Sequence, residues 1–197
     1  MSADPETTRQ EGLSRLISLL ESIDGSKVTL IGDTMLDRYH HGFANNLNST
    51  APVPVLKILD SEESPGASAH IAIGLTSFGM DVSFHTAVGD DDEASSIMSS
   101  LKSKDIELDN IIQVEGRSTL TKIRFFASRE SLLDRSQILL QADRGPKETL
   151  DETVSKSLTD SALSNIPDSC ALVISDYDKG VVTTEGAQSL IESAKIS

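Results

Sequence analysis

The sequence predicts an α/β protein: a doubly wound, mostly parallel β-sheet carrying a small inserted β-lid. Three observations lead there. Short apolar runs at 28–32 and 170–175 have the length and β-branched content of strands buried on both faces. Segments with helical spacing of apolar residues alternate with such runs, the order that produces parallel strands joined by right-handed crossovers. Residues 38–64 have a different texture, in which "PVPVLKIL" reads as extended because each proline disfavours helix in its predecessor.

Along the chain, Asp4-Pro5-Glu6 is a helix start, and Leu13, Leu16, Ile17 and Leu20 follow at helical spacing up to Asp24-Gly25. Residues 1–26 are read as a helix and lead-in, and 27–197 as the main body. After the first strand and the insert at about 38–64, Pro65-Gly66 introduces a small-residue helix, "ASAHIAIGLTSFG", ended by Gly79. "VSFHTAVG" is the next strand. Asp90, Asp91, Asp92 and Glu93 open a helix, where carboxylates cap free N–H groups and favour the positive end of the dipole. Strands are expected at 107–114, 119–127 and 137–142, a helix at 148–165, the strand at 170–175, and a last helix at 184–196.

Among the 197 residues, 31 Asp and Glu outnumber 17 Lys and Arg, giving a net charge of −14. That field argues against a nucleic-acid or membrane partner, and an anionic ligand needs a local basic patch. No stretch approaches the ~20 apolar residues of a membrane span, and the polar, acidic start is unlike a signal peptide, so a cytoplasmic location is expected. Cys170 is the single cysteine and opens an apolar run, which predicts a buried structural thiol in a reducing compartment. Asn48-Ser49-Thr50 reads as a turn.

In open parallel sheets ligands bind beyond the carboxyl ends of the strands. Asp33 follows one such end, with Asp37 four residues on, and Asp176 follows another. "TLTKIRFF" alternates so that Lys122, Arg124 and Phe126 share one face. Those two cations either grip a phosphate, the arginine as a bidentate fork, or pair with neighbouring acids on a solvated face. Gly66, at a helix start, leaves backbone N–H groups open to an anion or a sugar oxygen, or else permits close packing. His70 on the first helical turn is either a donor into the cleft or an ordinary, partly buried histidine. His40-His41 lacks further ligands at zinc spacing, and no metal site is expected.

In order and spacing, "GDTMLDRYHHG", "APVPVLKI", "SPGASAHIAIGL", "VGDDDEA", "TLTKIRFFA" and "VISDYDKGV" resemble the ribokinase-like (PfkB) carbohydrate kinases. The closest likeness is to the branch that phosphorylates heptose 7-phosphate on the way to ADP-heptose, and it runs from about Lys27 onward. The resemblance implies that Asp37 binds sugar hydroxyls and that the insert is a lid over the sugar and a homodimer contact. "TK-x-R" and "SDY-x-KG" are hallmarks of that branch and correspond to Lys122, Arg124, Asp176, Tyr177 and Lys179. ATP and Mg2+ are implied as cofactors, and a sugar phosphate as ligand.

The chain departs from that pattern in places. Gly66-Ala67 and His70 stand where the family has Gly-Gly and a sugar-binding asparagine, and Asn46 and Thr50 replace an arginine and a glutamate. The late "G-A-G-D" segment, whose aspartate is the catalytic base and whose glycines stabilise the transferring phosphoryl group, does not occur in these 197 residues. The resemblance therefore implies a ribokinase-like fold incomplete at its C-terminus, with the catalytic base beyond Ser197 and no transfer by this chain alone. The competing expectation is a non-catalytic sugar-phosphate-binding or dimerisation module.

Overall fold

The computed structural model describes residues 5–128 and 136–196. Strand β1 (Lys27–Gly32) is buried at every position after Lys27, as a run apolar on both faces requires. It pairs in parallel with β4 (Asp81–Val88) on one side and β8 (Ala171–Ser175) on the other, and β5 (Ile111–Gln113) adds in parallel to β4. The resulting four-stranded sheet has the order β5-β4-β1-β8.

Neighbouring residues of β1 serve opposite faces of this sheet. Leu30 packs with Phe84 and with Ala69, Ala72, Ile97 and Leu101 of the helices α2 (Ser68–Ser77) and α3 (Asp92–Lys102). Ile31 packs on the other side with Leu158, Ala162 and Leu190 of α4 (Glu152–Asn165) and α5 (Thr184–Ile196). Two cores flank one parallel sheet, which is the doubly wound α/β class expected. Each fully buried Leu or Ile contributes roughly 1.5–3 kcal/mol relative to exposure. The amphipathic helix α1 (Pro5–Ile23) forms as its spacing predicts, but Leu13, Leu16, Ile17 and Leu20 all stay exposed.

A second, mixed sheet has the order β3-β2-β6-β7, built from β2 (Thr34–Leu47), β3 (Pro54–Ala67), β6 (Thr121–Ser128) and β7 (Gln137–Arg144). It is wider than the insert read from 38–64. The strands expected at 119–127 and 137–142 join it, β6 lying parallel to β2 and antiparallel to β7. β2 and β3 form a long hairpin, closed by a turn in which Asn48 Oδ1 accepts from the backbone N–H and hydroxyl of Thr50.

Several local expectations change. Pro65 and Gly66 do not start a helix: pairing with β2 holds through Ala67, and an edge strand tolerates proline because no ladder bond is lost. Of 107–114 only Ile111–Gln113 is strand. Helix α4 begins at Glu152, where the Asp151 carboxylate accepts from the N–H of Thr153. Asp91 caps α3 by accepting from the N–H of Ala94, and Gly79 follows α2 in the left-handed conformation (φ 83°) that glycine adopts without a Cβ penalty. Cys170 is exposed rather than buried, because it precedes β8 at the outer edge of the sheet.

Candidate functional site

The chain passes from Gly32 at the carboxyl end of β1 straight through Asp33 into β2, so one short stretch joins the two sheets. Asp33 is only 1% exposed. Its carboxylate accepts three backbone hydrogen bonds from the turn after β8, from the N–H groups of Tyr177 (2.8 Å), Lys179 (3.1 Å) and Val181 (3.2 Å). Its carbonyl accepts from the N–H and hydroxyl of Ser68, so the start of α2 is occupied by protein.

Asp37 and Arg124 lie on one face of the second sheet and meet directly, Arg124 Nη1 donating to Asp37 Oδ1 at 2.7 Å. The bond to Asp37 outweighs partial burial and holds the guanidinium above its ordinary range. Arg124 also donates to the Tyr39 hydroxyl at 3.3 Å and sits 5.3 Å from the centre of that ring, a cation–π distance. Opposite them Gly66 has a steric task, since a Cβ there would fall 2.3 Å from Asp37 Oδ2. The helix-start role expected for Gly66 is thus replaced by close approach to the Asp37 carboxylate.

Lys122 pairs in register with Asp37 but does not share a ligand-like cluster with Arg124. It lines a cavity of about 420 Å3 with Arg117, Arg144, Lys147 and Lys179, five cations against Asp143, Glu148 and Asp178. In a chain of net charge −14 this is the local basic patch that an anionic ligand needs. Arg117 donates to the carbonyls of Glu148 and Thr149, and burial lowers its pKa against the attraction of Asp33 and Glu148. Lys122, Lys147 and Lys179 have no ion-pair partner among the described residues.

The remaining candidates are more peripheral. Asp176 is exposed and accepts from the N–H of Asp178, shaping the turn, and Tyr177 is 48% exposed. His70 is exposed on the first turn of α2 and does not line the cavity. His40 and His41 belong to β2, stacked on Phe125 and Phe126.

Arg117 and Lys147 escape sequence reading because isolated cations in loops carry no period, and Arg144 because it is the last residue of β7, beyond the strand expected at 137–142. The one available signal was "DRGPK", a charged turn directly after a strand. A further ionic group ties the lid to α3: Glu93 contacts Arg38 (3.1 Å) and Arg144 (2.5 Å), and Arg38 also meets Glu63 (2.5 Å).

Residues 26–152 match the model of the pfkB family of carbohydrate kinases. The chain is 32% identical over 167 residues to the bifunctional protein HldE of Koribacter versatilis, covering 85% of this chain and 33% of that protein. It is 34% identical over 172 residues to HldE of Actinobacillus pleuropneumoniae, covering 87% and 34%. The chain thus spans about a third of the length of these curated relatives. Among solved structures, Escherichia coli phosphofructokinase-2 in complex with fructose-6-phosphate superposes with a TM-score of 0.61 at 19% identity, covering 87% of this chain and 52% of the other. Arabidopsis thaliana ribokinase complexed with ribose and ATP gives 0.60 at 12%, covering 87% and 51%. The chain belongs to the pfkB family of carbohydrate kinases.

Proposed function

We propose that this chain is the sugar-phosphate-binding portion of a heptose 7-phosphate-type carbohydrate kinase and that, by itself, it binds without transferring. The observation that supports this reading is the cationic cavity, which lies beside the polar face of the lid sheet. A sugar phosphate needs both features: a carboxylate that accepts hydroxyl hydrogen bonds, and cations for the phosphoryl oxygens. Asp37 takes the first role, held in place by Arg124. Lys122, Lys179, Lys147 and Arg117 take the second.

The family reaction is ATP-dependent phosphorylation of a sugar hydroxyl, and the cavity cations also suit phosphoryl oxygens of a donor. Mg2+ in such a reaction is usually held by one or two carboxylates together with the donor's phosphates, and among the described residues no group of three His, Cys, Asp or Glu side chains is arranged to hold a metal ion. No Gly-Ala-Gly-Asp run is present, and no residue near the cavity is assigned as catalytic base. The exposed apolar outer face of the lid supports a homodimer formed through it.

Calorimetric titration with heptose 7-phosphate tests the binding reading. Wild type should bind, and Asp37→Ala and Arg124→Ala should each lose roughly 1–3 kcal/mol, the range for charged hydrogen bonds. Equal affinity in all three would reduce both residues to structural charges. The same preparations given ATP and Mg2+ should show no phosphoryl transfer above background. Turnover that a substitution within the chain abolishes would establish a catalyst instead.

A further inference from the structure

Asp33 is a buried carboxylate that the ligand-binding scheme above leaves without a task. It sits at the junction of the two sheets, yet the groups it binds are distant in sequence: the amides of Tyr177, Lys179 and Val181. Oδ2 accepts from Tyr177 and Lys179, and Oδ1 from Val181. The side chains of Asp176 to Lys179 are exposed and Asp178 is held in the left-handed region (φ 57°). The far end of the turn is anchored by Val181, buried in the second core, and by the Ser155 hydroxyl donating to the Gly180 carbonyl, so around Lys179 itself the path is fixed by the Asp33 bonds and the Asp176 turn. Two of its residues, Asp178 and Lys179, line the cationic cavity.

We infer that Asp33 is a positioning residue whose carboxylate holds the 176–181 turn so that Lys179 faces the cavity as an anion-binding cation. This rests on reading the cavity as a phosphate site. Three N–H groups converging on one carboxylate form charge-assisted bonds, and a neutral amide in its place would turn an NH2 donor against at least one of those N–H groups. Asp33 therefore acts on a ligand through the backbone of Lys179 and does not touch it.

The test is amide hydrogen exchange by NMR on the full chain, with pyrophosphate as the probe of anion binding. In wild type the amides of Tyr177, Lys179 and Val181 should be protected despite lying in a turn. In Asp33→Asn they should exchange at least about tenfold faster while those of β1 and β4 keep their protection, and pyrophosphate should bind about tenfold more weakly. Lys179→Gln should weaken pyrophosphate similarly and leave the three amides protected. The double variant should bind no worse than Lys179→Gln alone, because the positioning effect runs through that lysine.

Unprotected amides in the wild type would overturn the inference even if Asp33→Asn failed to fold. So would additive losses in the double variant, or undiminished pyrophosphate binding by Asp33→Asn. A wild type with protected amides that does not bind pyrophosphate would overturn the reading of the cavity instead.

Discussion

The two sheets of this chain use their faces in opposite ways. In the parallel sheet both faces are covered by helices, and Leu30 and Ile31 reach two separate cores from adjacent positions. In the lid sheet one face carries Asp37, Tyr39, Lys122 and Arg124 in register, and the other carries the Arg38–Glu63 ion pair near its base and, further out, Phe125 and the exposed Leu140. β2 crosses from one regime to the other, buried at Thr34–Leu36, half-buried through the middle and exposed at its tip. Fold stability resides mainly in the first sheet, and the proposed function assigns recognition and association to the second.

The largest effect that tests this division is a cavity under the parallel sheet. Leu30 is fully buried, so Leu30→Ala should cost roughly 2–5 kcal/mol, the range for large-to-small core substitutions. Urea unfolding measures it directly. A loss near zero would mean that the parallel sheet is not where stability lies.

His85 should give the next largest effect, and one that depends on pH. It is fully buried on β4, with Nδ1 unpartnered among the described residues and Nε2 3.0 Å from the Ser83 hydroxyl. Burial pushes its pKa down from 6.5 to about 4. The neutral imidazole is the form the fold accepts, so its contribution is complete above pH 6.5 and is lost as pH falls toward 4. The total is on the order of 3 kcal/mol. Stability measured across that window should fall in the wild type and fall less steeply in His85→Leu. Identical slopes would show that other groups govern acid sensitivity.

What could be read beforehand follows the same division. Continuous apolar runs identify β1, where burial on both faces leaves an unbroken signal, and also β8, although that strand lies at the sheet edge and is only half-buried from Leu172 to Ile174 rather than covered as expected. The lid was legible only in part. Its hairpin announces itself through prolines and alternation, but nothing in 119–127 or 137–142 states which sheet those strands join, since partner choice is set by long-range pairing. At the site, Asp37, Lys122 and Arg124 were visible as residues. That Arg124 is paired with Asp37 while Lys122 turns to Arg117, Arg144 and Lys147 depends on the β2–β6 register, on the end of β7 and on loops that carry no period.

A smaller effect is expected where the sheets are held together. Glu93 joins α3 to β2 and β7 through Arg38 and Arg144. Burial pushes the Glu93 carboxyl up, but the bonds from the two arginines outweigh it and its pKa is lowered from 4.5. A depressed carboxylate stabilises above that ordinary value and loses its contribution as pH falls below it. Arg144 is half exposed, so screening limits the effect, and Glu93→Gln should loosen the lid by only about 1 kcal/mol. Amide exchange in β7 should quicken about fivefold while exchange in β1 does not change. Equal quickening in both sheets would mean that Glu93 supports the whole fold rather than the lid.

The smallest effect on folding, and the sharpest on association, is expected at the outer face of the lid. Val53, Pro54, Leu56, Phe125, Leu139 and Leu140 line an apolar hollow of about 450 Å3 there, and Leu140 is 58% exposed. A side chain already in water loses little on substitution, so Leu140→Gln should change unfolding free energy by no more than about 0.5 kcal/mol. If this face joins two copies, the same change removes apolar area from both sides of the contact at once, because a two-fold interface repeats each substitution. Leu139→Asp, at a position 44% exposed that lines the same hollow, adds a charge that would have to be desolvated on association. Sedimentation should show a dimer for wild type and monomers for both variants, each with unaltered urea unfolding. A dimer surviving both substitutions would place the contact off this hollow, for instance on α1, where Leu13, Leu16, Ile17 and Leu20 form another exposed apolar run.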